Sequence, residues 1–202
     1  MDTINNKVCT NVERFIRNVL HVKDDELVKA ALLCTETVAF NKGDIVVRQG
    51  EPSLNLDFMM TDGLVRGFYY DDKAEGKEIT ECFVCTAGSC IADHFDPNEE
   101  SNHNSMLTVK VLEDAVFLRL SRKDAKLLFD NFPECQALAY RKLNEAVNSH
   151  IYFKRMLASY KGEELVQQFS NRYYELSQKL SVSEIASLLN VSERTVFRSK
   201  LK

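Results

Sequence analysis

The spacing of apolar residues changes twice along the chain. A stretch from about Asn11 to Leu33 reads as helical. Strand-like segments follow at Ile45–Gln49, Leu56–Thr61, Leu64–Tyr70 and Glu78–Val84, then at Met106–Leu112 and Ala115–Ser121. Six of the seven glycines fall between Gly43 and Gly88, at turn-like spacing. Many short strands separated by turns predict a sandwich or roll of antiparallel sheets. Asp71–Lys77 reads as a hairpin loop in which Gly76 supplies the permissive backbone. Asp96–Asn104 (DPNEESNHN) is polar and unpatterned, hence a loop.

After Arg122 the pattern becomes helical. Ser121–Phe129 predicts a short helix, and Pro133 opens a long one that runs to about Ser159, proline being tolerated in a first turn. An apolar stripe near coiled-coil spacing runs along it through Ala139, Leu143, Ala146 or Val147, Phe153 and Leu157, with His150 at the seam. A stripe left over after covering a small sheet domain predicts a homodimer. The plainer reading is packing on its own sheet domain. Gly162 breaks this helix, Glu163–Tyr174 forms another, and Ser177–Leu180 is a link.

The last stretch, LSVSEIASLLNVSERTVFRSKLK from Leu180 to Lys202, carries the most chemistry. Ser181 followed by Glu184 is a capping box that starts a helix. Ile185, Ala186, Leu188 and Leu189 give that helix an apolar face. Asn190 can take the left-handed conformation that stops it, with Val191 as a buried plug in the turn. Ser192 caps a second helix, which Val196 docks on the first. This predicts a helix-turn-helix whose second helix exposes Glu193, Arg194, Phe197 and Arg198, with Ser192, Thr195 and Lys200 also in reach of duplex DNA. An ordinary αα-corner is the plainer alternative.

Charge bears on that choice. The chain carries a net charge of −4, but Gln178–Lys202 carries +3 and the remainder −7. A locally basic end on an acidic body suits one DNA-contacting end. The composition, 45% hydrophobic and 28% charged, is that of a globular protein with a real core. No run approaches a membrane span, and MDTINNKVCTNVERF lacks the pattern of a signal peptide, so the expected location is the cytoplasm. Its six cysteines are then expected to be reduced.

Cys82, Cys85 and Cys90 form CxxCxxxxC, which raises an iron–sulfur or thiol redox sensor as an alternative. Cys82 and Cys85 sit in a strand, however, where residues three apart point to opposite faces. His94, His103 and His150 lack any haem-ligating motif. The sequence shows no nucleophile elbow, phosphate loop, HExxH or dinucleotide turn, so no enzyme, no cofactor and no metal site are expected.

Several fragments, in order, resemble the Crp/Fnr family of bacterial transcription regulators. Phe40-Asn-Lys-Gly43-Asp-Ile-Val and Arg48-Gln-Gly50-Glu51 resemble the opening strands of its cyclic-nucleotide-binding-type domain. Phe58-Met-Met-Thr-Asp-Gly63-Leu-Val-Arg66 and Gly76-Lys77-Glu78-Ile79-Thr80 resemble the following strand and the return of its hairpin. Leu112-Glu113-Asp114-Ala115 resembles the turn before its last strand, and Val191–Arg198 the start of its recognition helix. The resemblance implies an α+β chain with a jelly-roll-like, antiparallel β-roll sensor (residues 1–131), a dimerisation helix (132–159) and a helix-turn-helix domain without a wing (160–202). It implies a homodimer on a palindromic site of double-stranded DNA, with RNA polymerase as a further partner and a small-molecule effector. The seam would hold Leu143, Ala146, Val147, His150 and Leu157. The effector pocket would hold Asp93 and Ser105, with Asn148 and Ser149 on the long helix.

Two departures from the family matter. Where members that bind cyclic nucleotides have Gly-Glu and Arg-Ser pairs, this chain has Ala92-Asp93 and Ser105-Met106. Without that arginine a cyclic phosphate lacks its fixed counter-charge, so cyclic AMP is not expected as effector. At the recognition positions the family's Arg-Glu is replaced by Glu193-Arg194, while Arg198 matches the later arginine; a different operator is expected. The remaining alternative is a ligand-binding module with a vestigial DNA-binding end.

Overall fold

A computed structural model describes residues 11–70, 76–91 and 104–200. Cys9, residues 71–75 of the expected hairpin loop, Asp93, His94, His103 and most of the expected polar loop lie outside the described residues. Residues 11–18 form helix α1, and α2 spans Asp25–Cys34. One continuous N-terminal helix was expected from the apolar spacing, but the chain breaks it. His21 takes a positive φ of 57°, and the Asp24 carboxylate caps α2 by accepting from the Glu26 and Leu27 amides. The break is held from far along the sequence. In the first turn of α4 (Pro133–Ser159), the Glu134 carboxylate accepts from the Lys23 and Asp24 amides at 2.9 and 2.6 Å.

The strands are β1 (Thr35–Phe40), β2 (Ile45–Val47), β3 (Asn55–Met59), β4 (Leu64–Tyr70), β5 (Glu78–Val84), β6 (Cys90–Ile91), β7 (Thr108–Glu113) and β8 (Ala115–Ser121). They form two four-stranded sheets, in the orders β1-β8-β3-β6 and β2-β7-β4-β5. In the first sheet Thr35–Phe40 pairs antiparallel with Leu120–Ala115, and Asn55–Met59 with Ser121–Phe117. That register gives β3 and β8 two different faces, as period two requires. Leu56, Leu118 and Leu120 turn toward α1, α2 and α3 (Arg122–Asn131), where they join Phe15, Ile16, Val28 and Leu128 in one core. Met59 and Phe117 turn the other way and meet Val65, Val109, Val111 and Ala115 in a second core inside the roll. Gly88 is required in the turn before β6. Its φ is +83°, and a Cβ there would stand 2.8 Å from Val19 Cγ1.

The C-terminal helices are α5 (Gly162–Arg172), α6 (Tyr174–Lys179), α7 (Val182–Leu189) and α8 (Glu193–Lys200). Of the expected Ser177–Leu180 link, the first three residues are instead the second half of α6, and only Leu180, its C-cap, is extended. Ser177 is buried there, its hydroxyl satisfied by the Tyr174 carbonyl at 2.8 Å. Gly162 does mark the break after α4, with a φ of +57°.

The chain divides into two compact units. One comprises the sequence up to Arg66 with Phe83–Leu143. The other comprises Gly67–Cys82 with the chain from Asn144 onward. In the second unit the buried side chains of α5, Leu165, Val166 and Phe169, face those of α7 and α8, and the Phe169 and Tyr173 rings meet at a tilt of 34° with centroids 5.5 Å apart. Residues 67–82 join this unit through a side-chain clasp. The Thr80 amide and hydroxyl both donate to Ser187 Oγ on α7, at 3.0 and 2.9 Å.

Candidate nucleic-acid interface and roll cavity

The helix-turn-helix is built by local chemistry. Ser181 N donates to Glu184 Oε2 at 2.7 Å while Ser181 Oγ accepts from Glu184 N at 3.2 Å, completing the capping box. Asn190 ends α7 in the left-handed region at φ 50°, ψ 46°. Ile185 and Val196 are fully buried, and Ala186 is nearly so. Val191, expected as a buried plug, is half-buried; its amide closes the turn on Ala186 O at 3.0 Å. Ser192 starts α8, accepting from the Thr195 amide at 3.2 Å and sharing a hydroxyl hydrogen bond with Thr195 at 2.8 Å.

Alpha-helical phase sorts the residues of α8. Val196 is buried, Thr195 and Ser199 are half-buried, and Ser199 Oγ donates to Glu163 O on α5. Ser192, Glu193, Arg194, Phe197, Arg198 and Lys200 are all exposed. With about 100° between successive residues, Arg194 and Phe197 stand within about 35° of the direction opposite the buried side, and Glu193 and Arg198 form the shoulders. Six of the seven residues expected at a DNA interface are therefore exposed, with Arg194 and Phe197 central, Lys200 at the margin, Ser192 at the cap, and Thr195 half-buried.

Along α4 the expected seam is open, with one revision. Leu143 is 58% exposed and Val147 46%, and Ala146 and His150 are exposed beside them. Leu157 is half-buried. Phe153, expected in the stripe, instead turns into the helical unit, edge-on to Tyr173 at 6.4 Å. The exposed apolar line is Tyr140, Leu143, Val147 and Ile151, a spacing of three and four that the sequence reading missed at both ends.

Within the roll lies a cavity of about 110 Å³, lined by Val46, Val47, Ile91 and Val109 and by polar groups of Asn55, Asp57, Ser105 and Arg119. Ser105 is 3% exposed, and its hydroxyl donates to Leu107 O at 2.6 Å. Asp93 lies outside the described residues, and Asn148 and Ser149 are exposed on α4. The sequence reading overlooked the cavity's charged pair. Arg119 Nε and Nη2 donate to the two oxygens of Asp57 at 2.8 and 3.0 Å, and the guanidinium also lies over the Phe40 ring. These hydrogen bonds raise the Arg119 pKa. The signal was present in phase alone: Asp57 shares a face with Met59, and Arg119 shares one with Phe117.

Among the described residues no three His, Cys, Asp or Glu side chains gather to hold a metal ion. Burial, helped by the Asp57 charge, pushes the Cys90 thiol up to about 12, and burial pushes Cys135 up to about 11. The thiolate is the reactive form. At pH 8 about one part in 10⁴ of Cys90 and one in 10³ of Cys135 is ionised. Iodoacetamide at pH 8 should therefore label both slowly in native protein and at ordinary rates in urea, read by peptide mass spectrometry. Rapid labelling of native Cys90 would reinstate a redox role.

No family model matches the sequence, and no curated protein matches it either. Solved structures do match. A protein from Eubacterium rectale assigned to the Crp/Fnr family of transcriptional regulators superposes with a TM-score of 0.69 at 13% identity, over 90% of this chain and 84% of that one. This is the Crp/Fnr fold. CLP of Xanthomonas campestris, a c-di-GMP-responsive global regulator, gives 0.67 at 16% identity over 88% of this chain and 91% of that one. FixK2 of Bradyrhizobium japonicum gives 0.66 at 14% identity over 83% of both. The Crp/Fnr fold thus covers sheets and helices alike. Among the described residues no helix is long and apolar enough to cross a membrane.

Proposed function

We propose that this chain is a transcription regulator that binds double-stranded DNA as a homodimer through α8. One observation carries the reading: a helix-turn-helix with both helix starts capped, whose second helix turns Arg194, Arg198 and Lys200 to solvent while Val196 is buried. The exposed basic face favours this reading over a vestigial DNA-binding end. The exposed line on α4 supports pairing of two chains, which would set two α8 helices about 34 Å apart, one duplex turn.

The effector is a small molecule in the roll, and cyclic AMP is a poor fit. Ser105 stands where the family resemblance expects an arginine, and its hydroxyl is spent on Leu107. Arg119 is engaged on both oxygens of Asp57. A cyclic phosphate would lack a fixed counter-charge.

The test begins with selection of an operator from random-sequence duplexes, followed by gel shifts. Arg198→Ala should relax base choice at one symmetric pair of positions, since a bidentate arginine–guanine contact is worth about 1–3 kcal/mol of discrimination. Arg194→Ala should weaken binding with less change in preference. Lys179→Ala, outside α8, should alter only the salt dependence, by about one unit of slope if it meets a phosphate. Unchanged affinity and preference in Arg198→Ala would remove α8 from the interface.

A further inference from the structure

We propose that Phe197 reads the 5-methyl group of a thymine in the operator, within a base step or two of the position that Arg198 reads. The inference rests on the DNA-binding reading of α8 and makes its specificity chemical. Phe197 is 60% exposed, near the centre of a helix face whose other members, Glu193, Arg194, Arg198 and Lys200, are charged. Its phase denies it the core, because Val196, one residue back, already fills the contact with α7 and is fully buried. More than half of the ring is left in water, on the helix face that the DNA-binding reading turns to the duplex.

The charges around it name the partner. Arg194, Arg198 and Lys200 share the face with the ring and outnumber the one carboxylate, Glu193, a net positive balance suited to a phosphate-lined groove and ill suited to an apolar protein surface. The floor of the major groove offers one large apolar group, the thymine methyl, and phenylalanine is among the side chains that contact it. Neighbouring Cα atoms stand about 3.8 Å apart, close to the spacing of bases along one strand, about 3.4 Å. The thymine should thus sit beside the guanine contacted by Arg198.

The experiment replaces thymine by deoxyuridine in the selected operator, one symmetric pair at a time, which deletes the methyl and leaves every hydrogen-bonding group. Wild-type protein should lose about fourfold in affinity per methyl, or about fifteenfold for the pair, at one pair of positions. Phe197→Ala should show a similar loss on the thymine operator and no further loss on the deoxyuridine operator. Circular dichroism should be unchanged, since the side chain is exposed. Sequence-selective binding that is indifferent to deoxyuridine at every pair would overturn the methyl contact while leaving α8 as the DNA reader. If wild-type protein selects no sequence at all, both the contact and the DNA-binding reading fall, and the ring would belong to a protein partner.

Discussion

Asp57→Ala should destabilise the roll by about 3 kcal/mol, at the lower end of what breaking a buried pair costs. The Asp57 side chain is 5% exposed and that of Arg119 19%. Removing the carboxylate leaves a guanidinium with both its bonds lost, between two packed sheets. Partial access to water lets Arg119 recover some solvation, which is why the lower end is expected. Urea unfolding followed by circular dichroism would measure the change. Replacing both members, Asp57→Leu with Arg119→Met, should recover most of the loss, because apolar groups of similar size repack such sites without the cost of burying charge. A single Asp57→Ala variant within 0.5 kcal/mol of the parent, a surface-like figure, would mean that the pair is effectively solvated.

Leu143→Glu should convert a dimer into a monomer. Leu143 lies in the exposed line with Tyr140, Val147 and Ile151, apolar side chains that a free helix would leave in water. In a paired seam the glutamate would be buried without a partner, at a cost of several kcal/mol per chain. Because the leucine is exposed in the single chain, folding of the monomer should survive. Sedimentation at micromolar concentration should show dimer for the parent and monomer for the variant, and operator affinity should fall with it. A parent that sediments as a monomer would end the dimer reading.

The elements legible in the sequence were those whose chemistry is local. The helix-turn-helix could be read because Ser181, Glu184, Asn190 and Ser192 each act on backbone groups within a few residues. The strands between Gly43 and Gly88 could be read because turns punctuate them. Beta-strand β1 follows α2 without a turn residue between Cys34 and Thr35, and β6 is two residues long, too short to show alternation. Helix α6 was hidden for a similar reason: YELSQK has neither an apolar stripe nor a side-chain cap. The Asp57–Arg119 pair was illegible because its members lie 62 residues apart, and strand phase gives a direction but no partner. Exposure of Phe197 followed from helical period, whereas the diversion of Phe153 to Tyr173 depended on how α4 and α5 pack.

The clasp between Thr80 and Ser187 changes what can be cut from this protein. The helical unit is not made of one terminal segment alone. It takes one of its pieces from the middle of the sequence, where Thr80 stands 107 residues before its partner Ser187. A fragment begun at Asn144 would leave Ser187 without its two donors and the unit without residues 67–82. Such a fragment would keep the core of Leu165, Val166, Phe169, Ile185 and Val196 but lose the two hydrogen bonds at Ser187, so α7 should open more readily in it than in the whole chain.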